Sequence, residues 1–199
     1  MKCLSCNNFS VKPLCAKCAK IYLKPEMIEK RVGNLKVISF FDYYLVSELV
    51  KSKYLVSGYR FYKYVAKKFF QPFIKAYVSS YKGDKKRLYL IGVDENVLRG
   101  YSNISLLTHY GAYKSGIKPL SSVLRAKNRV QYAGKSLEYR LNNPRGFVYS
   151  GPKNIDAILI DDVVTTGTTL QEANSVLKKS GVNVHFALTV ANAVDGIDY

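Results

Sequence analysis

The stretch from Ala157 to Leu170 constrains the fold most. Ala157-Ile158-Leu159-Ile160 is an apolar run of strand length that passes without a break into two acids, Asp161 and Asp162. Val163 and Val164 follow, then the loop Thr165-Thr166-Gly167-Thr168-Thr169. Thr169 to Ser180 has the apolar spacing of a helix stopped by Gly181, and Val182 to Ala191 reads as a further strand. A strand, helix and strand of this length imply a parallel sheet, and open α/β sheets bind their ligands at the carboxyl ends of the strands. Gly167 lets backbone N–H groups approach a phosphate closely, and the threonines add hydroxyl donors at a helix N-terminus. The two carboxylates would repel a phosphate but accept hydrogen bonds well from vicinal sugar hydroxyls. Phosphate on the loop and diol on the acids describe ribose 5-phosphate, cradled by Asp161, Asp162, Val163, Val164, Thr165, Thr166, Gly167, Thr168 and Thr169. A plain helix cap needs one such residue, and a Walker loop would have Lys after Gly167.

All four cysteines lie in the first 18 residues, as Cys3-x-x-Cys6 and Cys15-x-x-Cys18. Four thiolates at that spacing suit a tetrahedral, coordinatively closed structural Zn²⁺, and metal-free redox pairs are the alternative. The amino terminus lacks the apolar segment of a secretory signal, and no apolar run approaches the roughly 20 residues of a membrane helix. The chain is therefore expected in a reducing cytosol.

The spacing predicts a basic helix or linker from Lys20 to Arg31, one or two strands over Val37–Tyr44, and a helix over Leu45–Tyr54. It further predicts a helix over Arg60–Val78 kinked or ended by Pro72, a strand at Leu88–Val93, and a crossover helix at Ser102–Lys114. Short strands are expected at Ser122–Leu124 and Phe147–Tyr149, around a helix at Gly134–Leu141. His109 and His185 have no ligand partner at metal spacing and read as structural.

Charge is unevenly spread within a formal net charge of +17. Residues 36–150 carry 21 Lys/Arg against six Asp/Glu, whereas residues 151–199 carry three against six. That suggests a polyanion-binding surface beside a separate carboxylate site, although lysines are often only a solvated face. Tyr59, Arg60, Tyr62, Lys63, Lys67 and Lys68 interleave rings with cations, as sequence-tolerant binders of single-stranded nucleic acid do. A helix also needs several such rings for its own buried face, so core packing is the competing explanation.

Asp161 to Thr169 resembles the signature loop of type I phosphoribosyltransferases, and the whole chain resembles the ComF family of competence proteins. The likeness rests on the Cys₄ module, on Arg99-Gly100-Tyr101-Ser102-Asn103, on Gln131, and on Arg140-x-x-Asn143-x-x-Gly146-Phe147. It implies a type I phosphoribosyltransferase-like α/β domain over residues 34–199, with a parallel sheet flanked by helices, behind a Cys₄ zinc module and linker over 1–33. It also implies that the protein binds 5-phosphoribosyl pyrophosphate (PRPP) with Mg²⁺, and binds single-stranded DNA during natural transformation. It would then work in the cytoplasm, recruited to the inner face of the membrane through partners of the DNA-uptake machinery.

The relatives usually carry a Pro-rich segment where this chain has Gly92-Val93-Asp94-Glu95-Asn96. Asp94, Glu95 and Arg99 are thus the candidate pyrophosphate and Mg²⁺ region, and two acids there would repel pyrophosphate unless Mg²⁺ bridges them. Binding is expected; turnover is left open. A metabolic enzyme that passes ribose 5-phosphate from PRPP to a base or amine is the alternative.

Overall fold

The computed structural model describes residues 1–193 apart from 96, 98, 99, 129, 131 and 133–135. Arg99, Gln131 and Gly134 therefore lie outside the described residues. The apolar run behaves as its composition requires. Strand β7 (Ile155–Val164) lies at the centre of a six-stranded sheet, where its residues Ala157 to Ile160 are buried. The other strands are β1 (Ile28–Val32), β2 (Leu35–Asp42), β3 (Leu88–Gly92), β4 (Lys118–Leu120) and β8 (Val182–Asn192). They lie in the order β1-β2-β8-β7-β3-β4, all neighbours parallel except the β1–β2 hairpin. This is the expected α/β class, a mostly parallel sheet flanked by helices. A separate antiparallel pair, β5 (Leu124–Ala126) and β6 (Phe147–Tyr149), stands apart from the sheet.

Helices α2 (Tyr43–Lys51), α3 (Tyr59–Val65), α4 (Gln71–Ser80) and α5 (Asn103–Ala112) share one apolar cluster with one face of the sheet. Helix α7 (Thr168–Lys179) packs on the other face, in a cluster that includes Leu124 and Phe147 of the β5–β6 pair. Two short helices complete the chain, α1 (Ala16–Tyr22) and α6 (Leu137–Asn142). Among the described residues no helix is long and apolar enough to cross a membrane.

Four expectations need correction. The segment Lys20–Arg31 is neither helix nor linker throughout, because Ile28–Val32 is strand β1, paired with β2. Of the two expectations for Pro72, only an end to the helix is overturned: a π-turn at Ala66–Phe70 precedes it, and the helix continues as α4. A π-turn shifts the hydrogen-bond ladder by one residue, which accommodates a proline that has no N–H to give. Strand β5 starts at Leu124 rather than Ser122, because Ser122 has a left-handed φ of 56° and gives its N–H to Glu95. Helix α6 begins after Ser136, whose hydroxyl accepts from the N–H of Tyr139. The histidines behave as structural residues. His185 lies between Tyr77 and Asp156, and His109 packs edge-on against Tyr110.

The cysteine module is clamped to the main body by Arg60. Its guanidinium donates to the carbonyls of Lys2, Ser10, Val11 and Lys12, at 2.7–3.2 Å. Cys3, Leu14 and Cys18 extend the adjoining apolar cluster. Replacing Arg60 by Ala leaves several carbonyls without their donor and should lower stability by about 1–3 kcal/mol. Arg60→Lys should recover only part of it, since one ammonium cannot serve four acceptors in a fork. Urea unfolding checks this; wild-type midpoints for both variants would exclude the clamp.

Candidate functional site

Asp161 and Asp162 fall within β7, where Asp161 is in register with Thr189 of β8, one residue beyond the end of the pairing with β3 at Ile160. The loop proper is short: Thr165, Thr166 and Gly167. Gly167 is left-handed, with φ 83°, and a Cβ there would lie 2.4 Å from a methyl of Val32. Both facts demand glycine, and together they press the turn against β1. Lys30 of β1 donates to the carbonyl of Thr165, and Arg140 of α6 donates to the hydroxyls of Thr165 and Thr166. The phosphate-type turn therefore has a cation on each side.

The carboxylates are treated differently from one another. Asp162 accepts from Lys53 Nζ at 2.7 Å and from Asn103 Nδ2 at 3.0 Å. The charge of Asp162 in turn raises the Lys53 ammonium above the ordinary lysine range. Asp161 accepts only the N–H of Asp162 among its described contacts. Desolvation first, and the neighbouring Asp162 second, push its carboxyl up to about 8. One proton is thus retained on the pair near neutrality, as expected of adjacent carboxyls.

These groups open into a cleft of about 900 Å³. Arg125, Lys127, Tyr132, Arg140 and Arg145 line it opposite the carboxylates. Asp94, at the end of β3, also lines it, with a left-handed φ of 53°, an ion pair to Arg145 at 3.2 Å and a hydrogen bond from the N–H of Ala126. Glu95 does not line it. Its carboxylate is buried, accepting from the Thr108 hydroxyl at 2.9 Å and the Ser122 N–H at 2.6 Å, and so ties α5 to the chain entering β5. Of the three pyrophosphate candidates, only Asp94 is brought to the cleft among the described residues. Asp94, Asp161 and Asp162 are hard oxygen donors in one cleft, a set compatible with Mg²⁺.

The four cysteine sulfurs lie within 4.8 Å of one another, and those of Cys6 and Cys15 are 3.7 Å apart. Thiolates bound at about 2.3 Å to a tetrahedral ion would be separated by about 3.8 Å, so the set fits a single ion. Burial raises the Cys3 thiol, but hydrogen bonds from the backbone of Cys6, Cys15 and Ser5 outweigh it and bring the group down to about 6.

The nucleic-acid candidates separate into two groups. Tyr62 is fully buried, its hydroxyl donating to the carbonyl of Val50, and Arg60 is occupied by the module. Tyr62 thus presents no surface to bases, whereas Arg60, although bonded to the module, still lines the groove beside it. Lys63 and Lys67 stand over the ring of Tyr110, and with Tyr59 and Lys68 they border a groove of about 400 Å³ against Val11, Lys12 and Pro13.

Sequence reasoning did not single out Lys30, Lys53, Arg125, Lys127, Tyr132 or Arg145. None carries a local signal: Lys53 is 109 residues from its partner Asp162.

No protein-family profile matches the chain, and no curated protein matches it significantly. Among solved structures it is similar to phosphoribosyltransferases. Against adenine phosphoribosyltransferase from Saccharomyces cerevisiae the identity is 16%, the coverage 89% of each chain, and the TM-score 0.41. The Leishmania tarentolae enzyme gives 13% identity over 83% of this chain and 94% of that one, with a TM-score of 0.41. A hypoxanthine phosphoribosyltransferase from Staphylococcus aureus gives 17%, 65%, 64% and 0.40 respectively. At this level the likeness says nothing of substrate or partner, which only the chain's own residues can supply.

The state of Asp161 predicts a pH dependence of stability. Its folded value of about 8 exceeds the ordinary 3.8, so the folded protein holds this proton more tightly than the unfolded chain does. The resulting stabilisation is complete below an ordinary carboxyl pKa and is lost as pH rises through about 8. Asp161→Asn should remove that slope. In EDTA without ligand, its thermal midpoint should exceed the wild type by several degrees at pH 9 and converge with it near pH 4. Parallel curves across that window would show that Asp161 ionises normally.

Proposed function

We propose that the cleft binds PRPP together with Mg²⁺, and that the protein uses this site while handling incoming single-stranded DNA during natural transformation. The observation that carries the PRPP assignment is the shared cleft of the Asp161–Asp162 pair and the Gly167 turn. The carboxylates suit the ribose 2′ and 3′ hydroxyls, and the turn with the start of α7 suits the 5′-phosphate. The opposing Arg and Lys side chains suit further negative charge, which PRPP has and ribose 5-phosphate lacks. Bound Mg²⁺ would offset the charge of the diphosphate. Asn103 and Lys53 hydrogen-bond to Asp162 and would hold it oriented toward the sugar.

Zn²⁺ in the Cys₄ set is the metal that best matches four sulfur donors in a closed site. Its role is structural: it folds residues 1–18, a turn-rich stretch that Arg60 then fastens to α3. On the DNA side, support comes from the family resemblance, from the excess of cations over residues 36–150, and from the groove between the module and the helix of residues 59–80. Its rim of Lys12, Lys63, Lys67 and Lys68 and the ring of Tyr59 suit a single strand. Residues 1–33 and 34–199 remain our division into module and domain. A cytoplasmic location, with recruitment to the membrane face through DNA-uptake partners, belongs to the same proposal.

The alternative is transfer of ribose 5-phosphate to a base or amine. Tyr54 and Tyr101, which line the cleft beside the carboxylates, favour it, since an acceptor base could stack on them.

Calorimetric titration with PRPP and Mg²⁺ should give saturable one-to-one binding that Asp162→Asn weakens by at least about tenfold, the loss of one charge-assisted contact, and that Asp161→Asn also weakens, the loss of one ribose hydroxyl partner. Wild-type protein that gives no heat would end the PRPP assignment. For DNA, if about six phosphates are neutralised, oligonucleotide affinity should fall by roughly two to three orders of magnitude between about 50 and 200 mM salt. Combined Lys63→Ala, Lys67→Ala and Lys68→Ala should flatten that slope. A salt-insensitive affinity would take DNA out of the account. PRPP-dependent consumption of one nucleobase from a panel would favour the transferase instead.

A further inference from the structure

Arg60 fastens the cysteine module to α3 without closing the gap between them. The groove that remains, of about 400 Å³, has Met1, Val11, Lys12 and Pro13 on one wall and helix residues from Tyr59 to Lys68 on the other. Its floor is apolar surface that neither element covers. Met1 and Val11 are 63% and 70% exposed, and Tyr59 faces them at 42%. The N–H of Tyr59 bonds the carbonyl of Val56, itself 68% exposed, so the apolar surface continues into the turn that leads to the helix.

The edge of the groove is cationic. Lys63 and Lys67 stand 5.0 and 4.9 Å from the centre of the Tyr110 ring, and Lys12, Lys67 and Lys68 are exposed. No carboxylate lines the groove, and none of these four lysines has an ion pair among the described residues.

One uncovered valine needs no explanation. Apolar side chains of two elements that face each other across a groove, ringed by unpaired lysines, are what an interaction surface requires. The floor decides the class of partner. A single strand needs rings on which its bases can stack, and Met1, Val11, Pro13 and Val56 offer no such face. An aliphatic floor under a cationic rim instead complements a peptide that carries large apolar side chains among acidic ones.

We infer that this groove is a docking site for an acidic segment of a partner protein, whose apolar side chains fill the floor while its carboxylates meet the lysine rim. The inference goes beyond the DNA reading, which engages the rim alone, and implies that the two ligands exclude each other there. Arg60 holds the carbonyls of Ser10, Val11 and Lys12, so the module wall is fixed before the partner arrives and little ordering cost falls on this side.

The test is fluorescence anisotropy of the full chain with a labelled peptide of alternating Asp and Glu around a central Leu-Phe pair, beside a labelled oligothymidine. The peptide should bind saturably. A version with Ser-Ser in place of Leu-Phe should bind at least about tenfold more weakly, the loss expected when large apolar side chains no longer leave water. Val11→Ser combined with Val56→Ser should weaken the Leu-Phe peptide by about tenfold, yet change oligothymidine affinity by less than about twofold, as surface substitutions away from a contact do. Both valines are exposed, so the core is untouched, and an unchanged melting temperature reports that the variant is folded. Unlabelled Leu-Phe peptide should displace oligothymidine from the wild type. Wild-type protein that does not bind the Leu-Phe peptide overturns the inference. Equal affinity for the Ser-Ser version does so too, since bare charge would then account for the binding. A valine variant that loses oligothymidine as strongly as peptide assigns the floor to nucleic acid and overturns it as well.

Discussion

Two carboxylates side by side at the end of a buried strand set the terms for everything around the cleft. β7 pairs with β8 past the acids and with β3 as far as Ile160, which fixes where the pair emerges, and so much protein around it weakens the solvation of charge. The surroundings resolve this unequally. Asp162 is compensated by Lys53 and Asn103, and Asp161 keeps a proton. Lys53 can serve only if the chain after α2 is bent back over the strand ends. Two tight 3₁₀ turns at Ser52–Tyr54 and Val56–Gly58 do this, fastened by the Tyr101 hydroxyl to the carbonyls of Ser52, Lys53 and Leu55. Gly58 completes the bend, since a Cβ there would lie 2.0 Å from the carbonyl oxygen of Ser52.

The opposite wall solves a complementary problem. Cations facing a cleft repel one another unless they are anchored, and three acids inside the protein do the anchoring. Glu172 fixes the turn before β6, Asp94 pairs with Arg145, and Glu95 braces the chain entering β5. The β5–β6 pair contributes little to the central sheet but carries the basic wall, and its apolar side, Leu124 and Phe147, packs into the cluster of α7. The same helix thus supplies the phosphate-type turn at its start and the anchor for the opposing cations one turn later.

The cysteine module is attached by different physics. Beside the apolar contacts of Cys3, Leu14 and Cys18, a single guanidinium reaching four carbonyls holds it to α3. This explains why an alternation of rings and cations can mislead. Helix residues 59–70 lie between the sheet and the module, so Phe61, Tyr62 and Phe70 are drawn into the core and Arg60 into the module. Only the residues on the outer stripe keep the surface character that the whole stretch suggests when written out linearly.

The sequence by itself determined the strand, the acids and the left-handed turn from Ala157 to Gly167, the helix and strand that follow, and a four-sulfur set with the spacing of a single ion. All depend on neighbours a few residues away: apolar periodicity, a glycine where no side chain fits, thiols two apart. Tertiary structure alone decided that Lys30 reaches the turn across 135 residues, that Lys53 claims Asp162 across 109, that Arg145 claims Asp94 across 51, and that Glu95 faces inward. It also turned Lys20–Arg31 into part of an edge hairpin and carried the helix through Pro72. Charges pair according to which loops close over which strand ends, and loop closure leaves no periodic mark in the chain. A lysine in a basic sequence therefore reads alike whether it faces water or holds the carboxylate on which the site depends.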